Sequence, residues 1–428
     1  MSGLSPMALA PDPAVPQRNH LTDLDAIARR LSAQLDPNGR VPIQTCRRAC
    51  VSYRVGKRLR VVYQVGIDGG DLYVTASTFR SSSRSGRAYS MAVTNAPDLG
   101  GLRPALHDTE LDTVFWVFPN DRKIEDLSAV ADVTDELARL VDGPWVKSQL
   151  VDYYPEVSAV VRCLDDSNRV IAYAKIHVGD EGERTFRMQQ ELERVAKGSR
   201  LRVATPLAYS KRHRTLLVEP IVGPSIGRLK SRDLLAGLHA YGAALATLHS
   251  LPVVDIAPNE DSALERLQQK ADGISAVRPD VEGMVCELLG ELSARWEEAA
   301  GKPVLVHGDT NENNAILQGD RIALIDFDRA SIGSAGSDIG NLLGLMRYYR
   351  SLGLISPSIE QARAAAFKSG YSSVRALPNV PALSVHESAA LAERAFRAVT
   401  RLRPRALTKV PALLSEACTL LQLKGGRA

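Results

Sequence analysis

The sequence predicts an α+β protein in which strands dominate the first half and helices the second. Three observations lead to that class. Short apolar runs of strand character, TVFWVF, VIAYAKIH and TLLVE, all lie before residue 220. Segments of helical spacing fill most of the chain after Gly223. Within that second half, an apolar strand, Val304 to Val306, leads through a polar loop into two further short strands, Ala315 to Leu317 and Ile322 to Ile325. A tight Gln318-Gly319-Asp320 turn makes a hairpin of those two.

The elements follow in order. Leu21 to Leu35 reads as a helix, with Thr22 and Asp25 spaced as a capping box and Leu24, Ile27, Leu31 and Leu35 on one face. Arg80 to Arg87, RSSSRSGR, reads as a mobile loop. The strand Val170 to His177 alternates well enough to half bury itself and carries Lys175; an amphipathic stretch from Arg184 to Lys197 follows, with Glu191 inside it. Thr215 to Glu219 is a strand running into Pro220 and Gly223. Leu234 to Leu251 is a helix near whose end His249 is expected to pack or cap. Leu264 to Lys270, Val281 to Ala299, Ile359 to Gly370 and Glu387 to Leu402 also have helical spacing.

Composition narrows the function classes. The chain has 428 residues, enough for two or three domains. No run approaches the ~18 to 20 apolar residues that span a bilayer, and the first twenty residues, without a basic start or an apolar block, read as a mobile tail. Five cysteines, an odd and scattered set, argue for a reducing, cytoplasmic setting; Cys46 and Cys50 lack the second pair that a zinc site needs. A net charge of +4 is too small to imply nucleic acid. The basic group Arg394, Arg397, Arg401, Arg403, Arg405 and Lys409 reads as a solvated helix face with a following turn.

The chemistry concentrates in the second half. Asp309 ends the first strand and loop entry, Asn314 opens the hairpin, and Asp326 leaves it, so that all three can face one pocket. Phosphoryl transfer asks a protein for a carboxylate to orient the attacking hydroxyl and for hard oxygen ligands to magnesium. These three residues supply both.

His307-Gly308-Asp309, then Asn314, then Ile325-Asp326-Phe327 resembles the catalytic and metal-binding loops of the aminoglycoside phosphotransferase and choline kinase families. The resemblance implies a protein-kinase-like two-lobe fold, with an antiparallel-sheet small lobe and a mainly helical large lobe. It implies ATP and Mg2+ as cofactors, with Asp309 orienting the acceptor and Asn314 and Asp326 holding the metal. Lys175 would contact the α and β phosphates and be held by Glu191, while backbone groups near Glu219 and Ile221 would hold the adenine. Gly308 stands where protein kinases carry arginine, which favours a small-molecule acceptor. Asp338 braces the catalytic loop in the family, although its place at the start of a helix requires no more than an N-cap. Asp328 is placed to assist the metal or to pair with Arg329. One family feature is missing: the turn that should approach phosphate is Tyr154-Pro155-Glu156-Val157, without glycine.

On this reading residues 1–20 are a tail, 21–145 an amino-terminal cap, 146–222 the nucleotide-binding small lobe and 223–428 the helical large lobe. The cap resembles a degenerate small lobe. An offset of 100 places Val51, Tyr53, Val61 and Tyr73 on Val151, Tyr153, Val161 and Tyr173, and an offset of 102 places Pro104 and Thr113 on Pro206 and Thr215. Thr75 then stands at the position of Lys175. An extra cap ahead of a kinase-like lobe is similar to the layout of bacterial maltokinases. The acceptor expected is a small alcohol: a sugar or amino sugar ahead of an aminoglycoside, because the large lobe has no acidic run beyond Glu291, Glu297 and Glu298. A non-catalytic kinase-like scaffold is the alternative.

Overall fold

Alternating burial builds the first sheet. The computed structural model describes residues 9–36, 41–94, 96–199, 201–252, 262–319 and 321–422. Thr45–Arg54, Arg58–Ile67 and Gly70–Thr78 form an antiparallel meander; Thr113–Val117 pairs beside the third strand and Ala105–Asp108 closes the edge. One face of this sheet, with Tyr53, Val61, Tyr63, Val74 and Phe115, packs under the helix Leu24–Gln34 through Ile27 and Leu31. That helix is capped by Asp23, which accepts from the Ala26 amide at 3.0 Å, and not by Thr22, whose hydroxyl turns back to Arg18 and Asn19 carbonyls.

Two further expectations for this region are corrected. The Arg80 to Arg87 stretch is not a loop: Ser82–Val93 is a helix, because Ser85, Ala88 and Ala92 are small residues at helical spacing that seat against the sheet beside Trp116. Of the expected tail, residues 1–8 lie outside the described residues, but the part from Leu9 onward is fastened. Asp12 accepts from the Tyr53 hydroxyl at 2.6 Å and the Gly56 amide at 2.8 Å, and Val15 is buried.

A second five-stranded sheet repeats the strand order of the first. Lys147–Tyr154, Ser158–Leu164 and Val170–His177 form the meander, Thr215–Val218 lies beside Val170–His177, and Pro206–Ser210 is the edge, with the helix Glu181–Ala196 inserted at the corresponding point. Thr75 lies opposite Val62 and Trp116, and Lys175 opposite Val160 and Leu216. The closing hairpins match at the offset of 102, with Asp108 opposite Thr113 and Ser210 opposite Thr215. They are slid by two residues along their neighbours, since Thr113 faces Thr78 whereas Thr215 faces Ile176. A slide of two keeps every side chain on its face. Val62 joins Tyr153, Val161, Ala172 and Ala174 in one core with Ile124, Leu127, Val130 and Trp145 of the connecting segment, so the two sheets are packed together.

The remaining elements surround the hairpin Ala315–Gln318 and Arg321–Leu324, along which Leu201–Val203 runs parallel; Asp320 of its turn lies outside the described residues. Pro303–Val306 pairs with Ser331–Ser334. The helices are Ser231–Leu248, Ala263–Val277, Glu282–Ala299, Ala335–Ser351, Pro357–Ser372, Val380–Thr400 and Val410–Gln422, together with the short Pro404–Leu407. Among the described residues no helix is long and apolar enough to cross a membrane.

The basic group at the end of the chain divides. Arg403, Arg405 and Lys409 are exposed, as expected of a solvated face, whereas Arg394 donates to Asn341 Oδ1 at 3.0 Å and to the Asn341 carbonyl at 2.9 Å, and Arg401 donates to the Val51 carbonyl at 2.7 Å. The long apolar stems and forked donors of these two tie elements together.

Helices Ser231–Leu248 and Pro357–Ser372 meet at two glycines. A Cβ on Gly242 would overlap the Phe367 carbonyl, and one on Gly370 would overlap the His239 carbonyl. Gly370→Ala should therefore lower stability by about 1–3 kcal/mol as the helices are forced apart; an unchanged urea midpoint would show that the crossing can relax.

Candidate active site

The loop that carries Asp309 is held by one buried carboxylate. Asp338, 1% exposed, accepts from the His307 amide at 2.6 Å and His249 Nε2 at 3.0 Å with one oxygen, and from the Gly308 amide at 2.9 Å with the other. The helix cap beside it is Ser334, which accepts from the Gly336 amide at 3.2 Å. The N-cap reading of Asp338 is thus replaced by the brace. Burial pushes the Asp338 carboxyl up, but His249 and His307 outweigh it and hold it below the usual carboxylate range. His249 ends the helix Ser231–Leu248 and is oriented by the Tyr371 hydroxyl, 2.9 Å from Nδ1.

His307 is fully buried and joins the two loops. Its Nε2 donates to the Ile325 carbonyl at 2.9 Å, next to Asp326, and its Nδ1 accepts from the Asp309 amide at 3.3 Å. Gly308 has φ +77°, and a Cβ there would run into the Arg329 carbonyl, so the two loops touch at a point that only glycine allows. Asn314 Nδ2 donates to the Asp309 carbonyl at 3.0 Å. That bond fixes the side chain and leaves Oδ1 as the atom available to a cation. Behind the loop, Asn341 donates to the Thr310 carbonyl at 2.9 Å and is itself held by Arg394. Nothing in the sequence pattern marked Asn341 or linked Arg394 to the loop.

Lys175 reaches across from the second sheet. Its ammonium lies 2.7 Å from Asp326 Oδ1 and also pairs with Asp328 Oδ2, against which His177 Nε2 sits at 3.4 Å. Burial pushes the Lys175 ammonium down, but Asp328 and Asp326 more than reverse this and raise it above the ordinary lysine value. Burial likewise pushes the Asp328 carboxyl up, but His177 and Lys175 outweigh it and hold it well below the carboxylate range. Asp326 has φ +66°, a conformation uncommon for a residue with a Cβ and found where the surroundings over-determine the backbone. Two carboxylates sharing one cation, with the Asn314 amide oxygen on the same loop system, form a hard-oxygen donor set suited to a divalent ion. Among the described residues no group of three or more His, Cys, Asp or Glu is placed to hold a metal alone.

The structure does not bring Glu191 to Lys175. Glu191 is bonded to Arg194 at 2.7 Å on the outer side of its helix, because the inward face is taken by Thr185, Met188, Gln189 and Leu192. Asp326 and Asp328 hold the lysine instead. Glu219 serves the hinge through its side chain, accepting from the Thr205 amide at 2.8 Å and from Arg202 at 2.9 Å. Among the described residues neither its carbonyl nor the Ile221 amide is taken by another group, so both are available at the cleft edge.

The glycine-free turn is clamped by the first sheet. Glu156, at φ +61°, is buried and paired with Arg60 at 2.5 Å, Arg58 at 3.5 Å, Lys123 at 3.7 Å and Arg122. Arg60 also donates to the Pro155 carbonyl. Burial pushes the Glu156 carboxyl up, and Arg60, Arg122 and Arg58 together hold it below its usual range. Asp121 Oδ2 accepts both the Glu156 amide at 2.8 Å and the Tyr153 hydroxyl at 2.7 Å, and Trp116 donates to that same hydroxyl at 3.1 Å. Sequence reasoning missed this cluster because its charges come from three separate segments.

The sequence model of the phosphotransferase enzyme family, APH, matches residues 161–377. No curated protein matches the chain in sequence. Among solved structures, a thermostable mutant of aminoglycoside phosphotransferase APH(4)-Ia in ternary complex with ADP and hygromycin B is similar at TM-score 0.50 and 13% identity, over 70% of this chain and 100% of that one. The gentamicin complex of APH(2")-IIa gives 0.47 at 16% identity, over 68% and 98%. APH(3'')-Id from Streptomyces rimosus gives 0.42 at 19% identity, over 56% and 90%.

Truncating Asp338 strands three buried donors. Asp338→Ala should cost about 3–5 kcal/mol in urea unfolding, and a loss under about 1 kcal/mol would place it among ordinary substitutions. Asp338 and Glu156 have folded pKa values below their unfolded ones. Their contribution is complete above the usual carboxylate range and is lost as pH falls through the depressed folded values. Wild-type stability should decline on acidification below that range, and Asp338→Ala should show a shallower decline.

Proposed function

The chain belongs to the phosphotransferase enzyme family, and from that premise we propose that it transfers the γ-phosphoryl group of ATP to a hydroxyl of a small polar molecule, a sugar or amino sugar in preference to an aminoglycoside antibiotic. The observation that carries the reading is that the loops bearing Asp309, Asn314 and Asp326 are bonded to one another and that Lys175, from a separate sheet, pairs with Asp326. Lys175 comes from a segment far from the other three in sequence, and the loops are held together by hydrogen bonds of the buried His307 and Asp338.

In this mechanism Asp309 accepts the proton of the acceptor hydroxyl as its oxygen attacks the γ-phosphorus. The bond from that phosphorus to the β-bridging oxygen breaks, and ADP leaves with the electron pair. The Asp309 backbone is fixed by Asn314 and His307, which sets where its side chain leaves the loop. Asn314 and Asp326 would hold Mg2+, with Asp328 as a further oxygen donor, and a bound magnesium ion would neutralise charge on the β and γ phosphates. Lys175 would exchange its present carboxylate partners for the α and β phosphates. The Glu219 carbonyl and Ile221 amide would receive the adenine edge.

The acceptor side supports an uncharged or weakly charged alcohol. Within the loop from His307 to Asn314 the one acidic side chain besides Asp309 is Glu312, and Arg363 already lies 3.5 Å from it. Arg394 stands behind the same loop. Glu291, Glu297 and Glu298 are exposed on the helix Glu282–Ala299, with Glu291 paired to Arg295. A polycation would find little negative charge near Asp309. The repeated strand order supports reading residues 21–145 as a degenerate small-lobe copy with Thr75, fully buried, at the lysine position.

Acceptor-stimulated ATP turnover, measured against sugars, amino sugars, aminoglycosides and choline-like alcohols, tests the reading. One acceptor class should stimulate wild-type turnover, and Asp309→Asn should lower that rate by about 10²–10⁴-fold while leaving nucleotide binding in place. Normal turnover by Asp309→Asn would remove Asp309 from the chemistry, and silence with every acceptor together with no nucleotide binding would favour the scaffold.

A further inference from the structure

Resting on the phosphotransferase reading, we propose that Arg401, delivered from the end of the large lobe, is a phosphate-binding residue of this site and supplies the contact that backbone amides of a glycine-rich turn would otherwise make.

The turn itself has no amide to offer. Pro155 lacks an N–H, the Glu156 amide is given to Asp121 at 2.8 Å, and the Val157 amide is given to the Tyr154 carbonyl at 3.0 Å. Tyr154 and Ser158 are paired across the strands. The four cationic residues around Glu156, with Arg60 on the Pro155 carbonyl, keep the turn in this arrangement. A phosphate cradle of successive N–H groups needs a backbone able to turn those groups toward the anion. Here Asp121 of the cap and the Tyr154 carbonyl have taken them.

Strand alternation shows what faces the cleft instead. Tyr153 is buried in the core with Ala174 and Ile176, so Tyr154 and Asp152 lie on the opposite face of the sheet, the face that carries Lys175. Tyr154 is 41% exposed there, and the Arg401 guanidinium lies over its ring, 5.6 Å from the centroid. Asp152 belongs to the same neighbourhood: after burial, which raises its carboxyl above the usual range, its surroundings include Asp326, Lys175 and Arg401.

Arg401 is anchored at one end only. Its Nη1 donates to the Val51 carbonyl at 2.7 Å and approaches Cys50 Sγ at 3.4 Å, and among the described residues no carboxylate forms an ion pair with it. The rest of a planar donor fork, stacked on an aromatic ring and with no carboxylate at ion-pair distance although Asp152 is in its surroundings, is the form in which arginine binds phosphate. Arg401 follows the helix Val380–Thr400, and its partner Val51 belongs to the first sheet, so the cap both holds the Glu156 amide and anchors the arginine.

Calorimetric titration of the full-length protein with magnesium-ATP and, separately, with adenosine tests this. Arg401→Gln should weaken magnesium-ATP by about tenfold or more, as expected for losing a charge-assisted bond, and leave adenosine affinity unchanged. Arg401→Lys keeps a donor for the Val51 carbonyl but not the planar fork, and should give a loss of about threefold or more; it decides the matter should Arg401→Gln not fold. Magnesium-ATP affinity within about twofold of wild type in the folded variant would overturn the proposal alone. Equal weakening of ATP and adenosine would also overturn it, since that pattern belongs to a structural role. A wild-type protein that binds adenosine and magnesium-ATP in neither titration would overturn the phosphotransferase reading together with it.

Discussion

The carboxylate of Asp338 is the constraint on which the rest of the site depends. It takes up the amides on either side of the His307-Gly308 peptide and the ring of His249, and so ties the loop of Asp309 to two helices at once. His307, fixed by that contact, reaches the Ile325 carbonyl and thereby sets the loop of Asp326 relative to that of Asp309. A buried charge of this kind is stable only because both of its oxygens have donors. Its consequence is that the backbone carrying Asp309, Asn314 and Asp326 is set by a polar frame, to which the bonds of Asn314 and Asp309 add.

The first sheet enters the same system from above. Burying Glu156 with Arg60 and Arg122 is electrostatically demanding, since each ion loses its water. The cluster is offset by mutual pairing and by the hydrogen bonds through Asp121 and Tyr153. What it achieves is order in a turn that, in a glycine-rich version, would be mobile. The first sheet and its turn also contact the helical second half, through Val55 against Gly273 and through Val51 against Arg401.

Much of this was legible in the sequence, for local reasons. The strand Val170 to His177 was read at its observed bounds because it alternates well enough to half bury itself, and the His307 to Phe327 pattern marked the loops because residue type and spacing carry it. Failures came where tertiary contacts decide. Glu191 has the right spacing on its helix but the wrong face, and Ser82–Val93 carries so many serines and arginines that its buried side, Ser85, Ala88 and Ala92, was hidden. The Glu156 clamp joins Arg58 and Arg60 to Arg122 and Lys123 across long separations, and Arg394 meets Asn341 over fifty residues away in sequence, so no periodicity could reveal either.

The central claim is that Asp326 is the protein's hold on a nucleotide-bound divalent ion. Electron paramagnetic resonance with Mn2+ in place of Mg2+ tests it most directly, by following the free-ion signal as protein is added to a fixed mixture of Mn2+ and ATP. The account predicts that wild-type protein lowers that signal below the level set by ATP alone and that Asp326→Asn returns it to that level. A signal unaffected by wild-type protein, or lowered equally by Asp326→Asn, would contradict it.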